Sequence, residues 1–189
     1  MIWIVDFPLP PSVNEYLMPV IGGTGVNKRT GKPYYRGRLV KTEIHNQYRE
    51  RCREWALLHA PLMTYTRTVL SRTKNSLEER QTAFALKIDT YFVFEHSRIF
   101  TLSNKSQELD GHNRLKPLFD ALAEAIGIDD RYFYAGNCEK VTCPTKDLEC
   151  TMIRISLMKP RTKADIRSLI NSETTRQASS SCNLRQATP

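Results

Sequence analysis

Apolar and polar residues alternate most regularly between residues 84 and 94, where every second position is phenylalanine, leucine, isoleucine or threonine. This period of two predicts a β-strand with one buried face. The same alternation at 150–157 predicts another strand, and residues 132–142 predict a strand joined to it by a turn around 144–147. A shorter strand is predicted at 3–5, because the prolines that follow cannot donate to a sheet.

Two other segments have apolar residues three to five positions apart, which is typical of an amphipathic helix. The first covers about 37–60 and is expected to end at Pro61. The second covers about 114–126, with Asn113 as its N-cap and Gly127 as its C-terminal stop. We therefore expect two helices that each bury one face.

The remaining polar and glycine-containing stretches, 12–35 and 62–82, are predicted to be loops. The resulting order is β-α-β-α-β-β. It predicts the α/β (α+β) class, with a mixed sheet and helices packed on one of its faces. The composition becomes polar and basic at residue 159. We therefore expect one domain over 1–158 and a basic, partly disordered tail over 159–189.

The charge of the chain adds a functional expectation. Its 189 residues include 28 lysines and arginines against 20 acidic residues, which gives a net charge of +8. Such a balance favours a polyanionic partner such as nucleic acid. No apolar run approaches the ~18 residues of a membrane span, and the first residues do not resemble a signal peptide. We therefore expect a cytoplasmic protein with no membrane partner.

Residues with catalytic potential cluster around the second predicted helix. Asp110 and His112 precede the helix. A polar stripe along it contains Asn113, Lys116 and Asp120. Asp129 and Asp130 follow it. Carboxylate oxygens bind hard cations such as Mg²⁺ and Mn²⁺, and a nearby lysine can neutralise charge on a phosphoryl group. In a basic protein this combination is typical of a metal-dependent nuclease.

A purely structural interpretation of these residues stays open. Asp110 would cap the helix, Lys116 and Asp120 would form a surface pair, and residues 129–130 would cap a turn. The helix is ~20 Å long at 1.5 Å per residue, so Asp110 and Asp130 cannot meet through its ends alone. They can meet if residues 129–130 turn back along the helix, if they lie on the chain entering the next strand, or if a second copy approaches.

The stretch from residue 110 to residue 130 resembles the RusA family of Holliday-junction resolvases, whose pattern is Asp-x-Asp-Asn-x-x-Lys-x-x-x-Asp-Ala-Leu followed by Asp-Asp. The matching positions are Asp110, Asn113, Lys116, Asp120, Ala121, Leu122, Asp129 and Asp130. Residues 10–16, Pro-Pro-Ser-Val-Asn-Glu-Tyr, resemble the segment that follows the first strand in that family, and Tyr35-Arg36 also fits. The similarity follows the order of elements over about residues 3–157.

The resemblance implies a homodimeric endodeoxyribonuclease that resolves four-way DNA junctions by paired nicks. Mg²⁺, or Mn²⁺, would be held by Asp110 and Asp130 with support from Asp129. Lys116 would stabilise the transition state, and Asn113 and Asp120 would lie behind the ligands.

The chain departs from the family pattern at one position, because His112 replaces the second aspartate of Asp-x-Asp. It stays a candidate ligand, since imidazole binds Mn²⁺ more readily than Mg²⁺. The alternative is a non-catalytic junction-binding protein of the same fold with an altered metal site.

Basic residues of the predicted loop would contact DNA phosphates, together with an asparagine of the proline-containing segment. These candidates are Asn14, Lys28, Arg29, Lys32, Arg36 and Arg38. Tyr34 and Tyr35 lie among them and suit stacking on bases. A merely solvated loop is the alternative interpretation of this stretch.

Overall fold

A computed structural model describes residues 1–27, 29–103, 105–106, 111–165 and 167–168. The chain comprises two compact units, Met1–Met158 and Lys159–Pro189. In the second unit, the side chains of Thr162 and Asp165 each accept a hydrogen bond from the other residue's main-chain N–H, at 3.2 and 2.7 Å. This reciprocal pair caps the start of a short helical turn.

Within the described residues, the elements of the first unit follow in chain order. They are β1 (Ile2–Phe7), α1 (Val13–Tyr16), β2 (Leu17–Val26), β3 (Pro33–Lys41), α2 (Glu43–Leu58), α3 (Ala60–Glu79), β4 (Leu86–Glu95), α4 (His96–Ile99), α5 (Leu115–Ile126), β5 (Phe133–Ala135), β6 (Cys138–Cys143) and β7 (Cys150–Leu157). Short 3₁₀ turns cover His112–Arg114, Asp130–Tyr132 and Lys146–Leu148.

Five strands form one mixed sheet around β4. The order is β1-β7-β4-β5, and β6 also pairs with β4. β7 lies antiparallel to both β1 and β4, whereas β5 and β6 run parallel to β4. The predicted mixed sheet of the α+β class is therefore confirmed.

The alternation of β4 determines which face of the sheet is covered. Leu86, Ile88 and Phe92 belong to the hydrophobic core, together with side chains of α2, α3 and α5. Neighbouring strands supply Ile4 and Ile153 to the same core. The predicted face of residues 84–94 is thus the one that the helices cover. The other face carries an aromatic pair, Trp3 and Tyr91, whose ring centroids lie 6.0 Å apart.

Residues 17–41 contain a β-hairpin, so the predicted loop over 12–35 was wrong. β2 and β3 pair antiparallel as a separate two-stranded sheet, and their register shifts between Ile21 and Thr24. A two-stranded ribbon apart from the main sheet need not bury one face against the core, so its sequence need not alternate. Thr42 then caps α2 by accepting a hydrogen bond from the His45 N–H, and the helix begins at Glu43 instead of near residue 37.

Residues 60–79 form a helix, so the predicted loop over 62–82 was also wrong. Pro61 lies in the first turn of α3, where its missing N–H costs no intrahelical hydrogen bond. Pro61 therefore follows the end of α2 and also lies at the beginning of α3. The buried side chains of α3 are Met63, Thr66 and Leu70, a narrow stripe that leaves the helix mostly polar. Of the helices in the described ranges, none combines the length and apolar character needed to cross a membrane.

The predicted strand over 132–142 is divided into β5 and β6 at residues 136–137. A β-carbon at Gly136 would lie 1.7 Å from the main-chain oxygen of Ile88, so only glycine allows this close approach. The main chain of Asn137 forms two hydrogen bonds to β4 at this break. Its carbonyl accepts the Thr90 N–H at 2.8 Å, and its own N–H donates to Asp89 Oδ1 at 3.0 Å.

Asp89 is a buried carboxylate on the central strand, on the sheet face opposite the helices. Arg154 donates to its Oδ2 from Nε at 3.0 Å, and Lys87 Nζ lies 3.0 Å from its Oδ1. Burial alone would raise the pKa of Asp89, but the hydrogen bonds from Arg154, Asn137 and Lys87 outweigh burial and hold it below its usual value. The carboxylate is therefore an anion that joins β4 to β7 and to the break between β5 and β6.

We predict that Asp89→Asn lowers the free energy of unfolding by about 2 kcal/mol, the value of a charge-assisted hydrogen bond. Asp89 contributes this stability above its unfolded pKa of about 4, and the contribution is lost as pH falls through the lower pKa of the folded protein. Urea unfolding at pH 7 and pH 3 measures the effect. Glu139→Gln, at an exposed position of β6, is the control, and an equal loss in both variants would contradict the role of Asp89.

Candidate metal and phosphate site

The chain reverses direction at the end of α5 and runs back along the helix. Gly127 adopts the left-handed conformation, with φ of 67°, and its N–H donates to the Ala123 carbonyl at 2.9 Å. This is the predicted C-terminal stop. Ile128 is then buried in the core, and Asp130 Oδ2 reaches within 3.7 Å of Lys116 Nζ in the first turn of the helix. Residues 129–130 thus turn back along the helix and also lie on the chain that enters β5.

Lys116 lies between two carboxylates. Its Nζ is 2.6 Å from Asp120 Oδ1, one helical turn away, as well as 3.7 Å from Asp130. The hydrogen bond with Asp120 is the main reason that the pKa of Lys116 is raised, and the charge of Asp130 adds to it. The lysine side chain is 61% exposed, so solvent screens these ion pairs. The arrangement holds a protonated amine and two carboxylates at the surface.

The remaining predicted residues take different positions. Asp129 accepts the Arg131 N–H at 2.9 Å and so caps the 3₁₀ turn that follows it. His112 is exposed and Asn113 is half-buried in the 3₁₀ turn before α5. The predicted N-cap role of Asn113 was wrong, because this turn continues directly into α5 without a side-chain cap. Asp110 lies outside the described residues.

Arg114 is not among the predicted site residues, and it joins the two segments with family resemblance. Arg114 is 7% exposed, donates a hydrogen bond to the Pro10 carbonyl, and lies with its guanidinium 5.3 Å from the centre of the Phe94 ring. Residues 10–16 are therefore held at the beginning of α5. An arginine beside a run of charged residues carries no sequence signal of burial, so this contact had no pattern to reveal it.

Residues 10–16 have a defined local structure. Ser12 and Glu15 form a capping box around α1, in which the Glu15 carboxylate accepts the Ser12 N–H at 2.9 Å. Asn14 is exposed within this turn. The Glu15 carbonyl accepts a hydrogen bond from the Thr42 hydroxyl at 2.6 Å, which ties α1 to the end of the hairpin.

The predicted DNA-contacting basic residues belong to the β2–β3 hairpin. Arg29 and Lys32 are exposed in its turn, where Asn27 accepts the Arg29 N–H at 2.9 Å and pairs with Lys32 through its main chain. The main chain of Arg36 and Arg38 forms part of β3. Lys28 lies outside the described residues.

Within the part of the chain that the structure describes, no three His, Cys, Asp or Glu side chains approach closely enough to hold a metal ion. The described portion of the site supplies Asp120, Asp129 and Asp130, while the fourth predicted carboxylate, Asp110, falls outside it. Searches of protein-family models and of curated proteins found no match to this chain.

We predict that Arg114→Met lowers the free energy of unfolding by about 2 kcal/mol, because a buried charge-assisted hydrogen bond is lost while the side-chain length is kept. Urea unfolding monitored by circular dichroism measures the change. Arg131→Met is the matched control, since the Arg131 side chain is 68% exposed. A loss no larger than that of the control would show that Arg114 does not hold the two segments together.

Proposed function

We propose that this chain is a RusA-like, metal-dependent endodeoxyribonuclease whose substrate is branched DNA, in particular the four-way junction. The observation that carries the proposal is the gathering of Lys116, Asp120 and Asp130 at the surface of α5. Arg114 ties residues 10–16, the other segment with family resemblance, to the same end of that helix.

The donor chemistry of the site suits a hard divalent cation. Asp130 is 42% exposed and faces a single ammonium group, so its carboxylate oxygens are accessible to an ion from solvent. Asp110 and Asp130 would hold Mg²⁺ or Mn²⁺, with His112 as a further ligand and Asp129 in support. Bound there, the ion would supply an activated water and neutralise charge on the phosphoryl group.

Lys116 has a separate part in the proposed reaction. Its amine is protonated at neutral pH, with a pKa that the hydrogen bond to Asp120 raises further, and its exposure allows contact with a phosphate oxygen. Asp120 positions the amine through the 2.6 Å hydrogen bond, and Asn113 lies one turn before Lys116 along the chain. The ammonium would stabilise the negative charge that develops on the phosphoryl group.

Paired nicking needs two such sites. A homodimer would supply them, since two-fold symmetry of the protein matches the two strands cut in a symmetric junction. The net charge of +8 would draw the polyanionic junction to the protein, and the hairpin arginines and lysines would contact its backbone.

A non-catalytic junction-binding protein of the same fold is the second candidate. It is favoured by His112, which replaces a carboxylate of the family pattern with an imidazole. Such a protein would keep the basic hairpin and lose the metal chemistry.

We predict that the purified protein nicks a synthetic four-way junction only with Mg²⁺ or Mn²⁺, and that Asp130→Asn slows nicking at least about 100-fold. The amide cannot replace the carboxylate as a metal ligand, whereas phosphate contacts by the hairpin are kept. Gel assays of nicking and of junction binding measure both properties.

Asp147→Asn, in the distant turn at 146–148, is the control for a lost carboxylate and should nick normally. Full activity of Asp130→Asn would refute the assignment of the site. A wild-type protein that binds the junction but nicks it with neither metal would establish the non-catalytic alternative.

We also predict that Arg29→Ala with Lys32→Ala weakens junction binding and flattens its salt dependence. Each lost phosphate contact lowers the slope of log K against log salt by about 0.9. Binding titrations at several salt concentrations measure the slope. Arg80→Ala with Lys146→Ala removes the same charge from exposed positions elsewhere, and equal slopes in the two double variants would exclude the hairpin from the interface.

A further inference from the structure

A cavity of about 380 Å³ lies between α2, α3 and α5. Its deepest lining comes from buried residues of the three helices, Cys52, Met63, Ala121 and Ala125. Three arginines also line it at its mouth: Arg49, which is partly exposed, and Arg53 and Arg67, which are exposed.

The cavity is open to solvent at its mouth, and small side chains contribute to its base. The helices α2 and α3 are separated only by His59, and α5 contributes Ala121, Ala125 and Glu124 to the lining. The volume falls within the range of about 300–1,000 Å³ that small-molecule sites occupy.

The charged groups at the mouth leave an excess of hydrogen-bond donors. Arg53 Nε lies 3.0 Å from Glu124 Oε1, and Arg49 pairs with the other oxygen of the same carboxylate. Arg67 Nε donates to the Ala125 carbonyl at 2.9 Å. Each guanidinium has five N–H donors, so one carboxylate and one carbonyl use only part of this capacity. Glu50 lies 3.4 Å from Arg53, and the mouth keeps a net positive charge.

We propose that this cavity binds a small amphiphilic anion. A compact aromatic or branched apolar group would fill the space lined by Met63, Ala121 and Ala125. A carboxylate, sulfonate or phosphate group would meet the arginines at the mouth, where bidentate pairing with guanidinium is favoured. The cavity is distinct from the proposed nuclease site, whose charged groups are Lys116, Asp120 and Asp130, and its occupancy does not depend on nuclease activity.

The test uses anilinonaphthalene sulfonate, an aromatic anion whose fluorescence rises in apolar surroundings, titrated into the full-length protein. We expect saturation at one probe per chain and a rise in the unfolding temperature, because a ligand that binds the folded state stabilises it. The uncharged analogue phenylnaphthylamine should bind at least about fivefold more weakly, since it forms no ion pair at the mouth. A lowered unfolding temperature, or equal binding of both probes, would overturn the proposal.

Two pairs of variants locate the probe. Thr64 lines the cavity from an exposed position of α3, and Thr64→Trp should fill the mouth and weaken binding at least about tenfold, because the indole occupies the space of the ligand. Thr68→Trp, one turn along the same helix and outside the lining, should bind normally.

Arg53→Ala tests the charge at the mouth without filling the cavity. It should weaken binding about fivefold, whereas Arg51→Ala, an exposed arginine of the same helix that does not line the cavity, should have no effect. Equal binding by the members of both pairs would overturn the proposal. Circular dichroism of each variant confirms that it is folded.

Discussion

Burial of one face of α5 fixes the arrangement of the charged groups around this helix. Three of its aliphatic side chains are completely buried: Leu118, Leu122 and Ile126. At about 2 kcal/mol each, they contribute roughly 6 kcal/mol to stability. Rotation of the helix would expose them to water. The opposite stripe, with Lys116, Asp120 and Glu124 one turn apart, is therefore held towards α2 and towards the chain that returns after Gly127.

The ion pairs between α2 and α5 add orientation more than stability. Arg49 and Arg53 both form ion pairs with Glu124, and each of the three side chains is more than a third exposed. Exposed pairs of this kind contribute about 0.2–1 kcal/mol each. They connect α2 to α5 at the mouth of the apolar cavity. One turn before Glu124, Asp120 pairs with Lys116.

The extent to which sequence predicts this structure depends on where each element finds its partners. The buried faces of β4 and α5 follow from their own residues, because burial on one face imposes a period on the sequence. The pair of Lys116 and Asp120 is equally local. The hairpin and α3 escaped prediction, since a ribbon paired only with itself needs no alternation and a helix with a narrow buried stripe has little periodicity.

Contacts between distant parts of the chain had no local signal at all. The approach of Asp130 to Lys116 requires the reversal at Gly127 and the burial of Ile128, which together carry the chain back along α5. The hydrogen bond from Arg114 to Pro10 joins positions more than a hundred residues apart. Both depend on the packed core, so the sequence predicts the pair of Lys116 and Asp120, but not the approach of Asp130 or the contact made by Arg114.

Charge balance distinguishes the two proposed functions. Asp120 and Asp130 together carry two negative charges beside the single positive charge of Lys116, and a DNA phosphate at this surface would add another. Among the described residues, the ammonium group of Lys116 would face three anions, so a divalent cation would balance the charge when DNA is engaged here. A protein that only binds junctions would need no such cation and would do better without the carboxylates. That they surround Lys116 on the accessible side of α5 favours the catalytic proposal, even though His112 makes the site one charge less acidic than the family pattern.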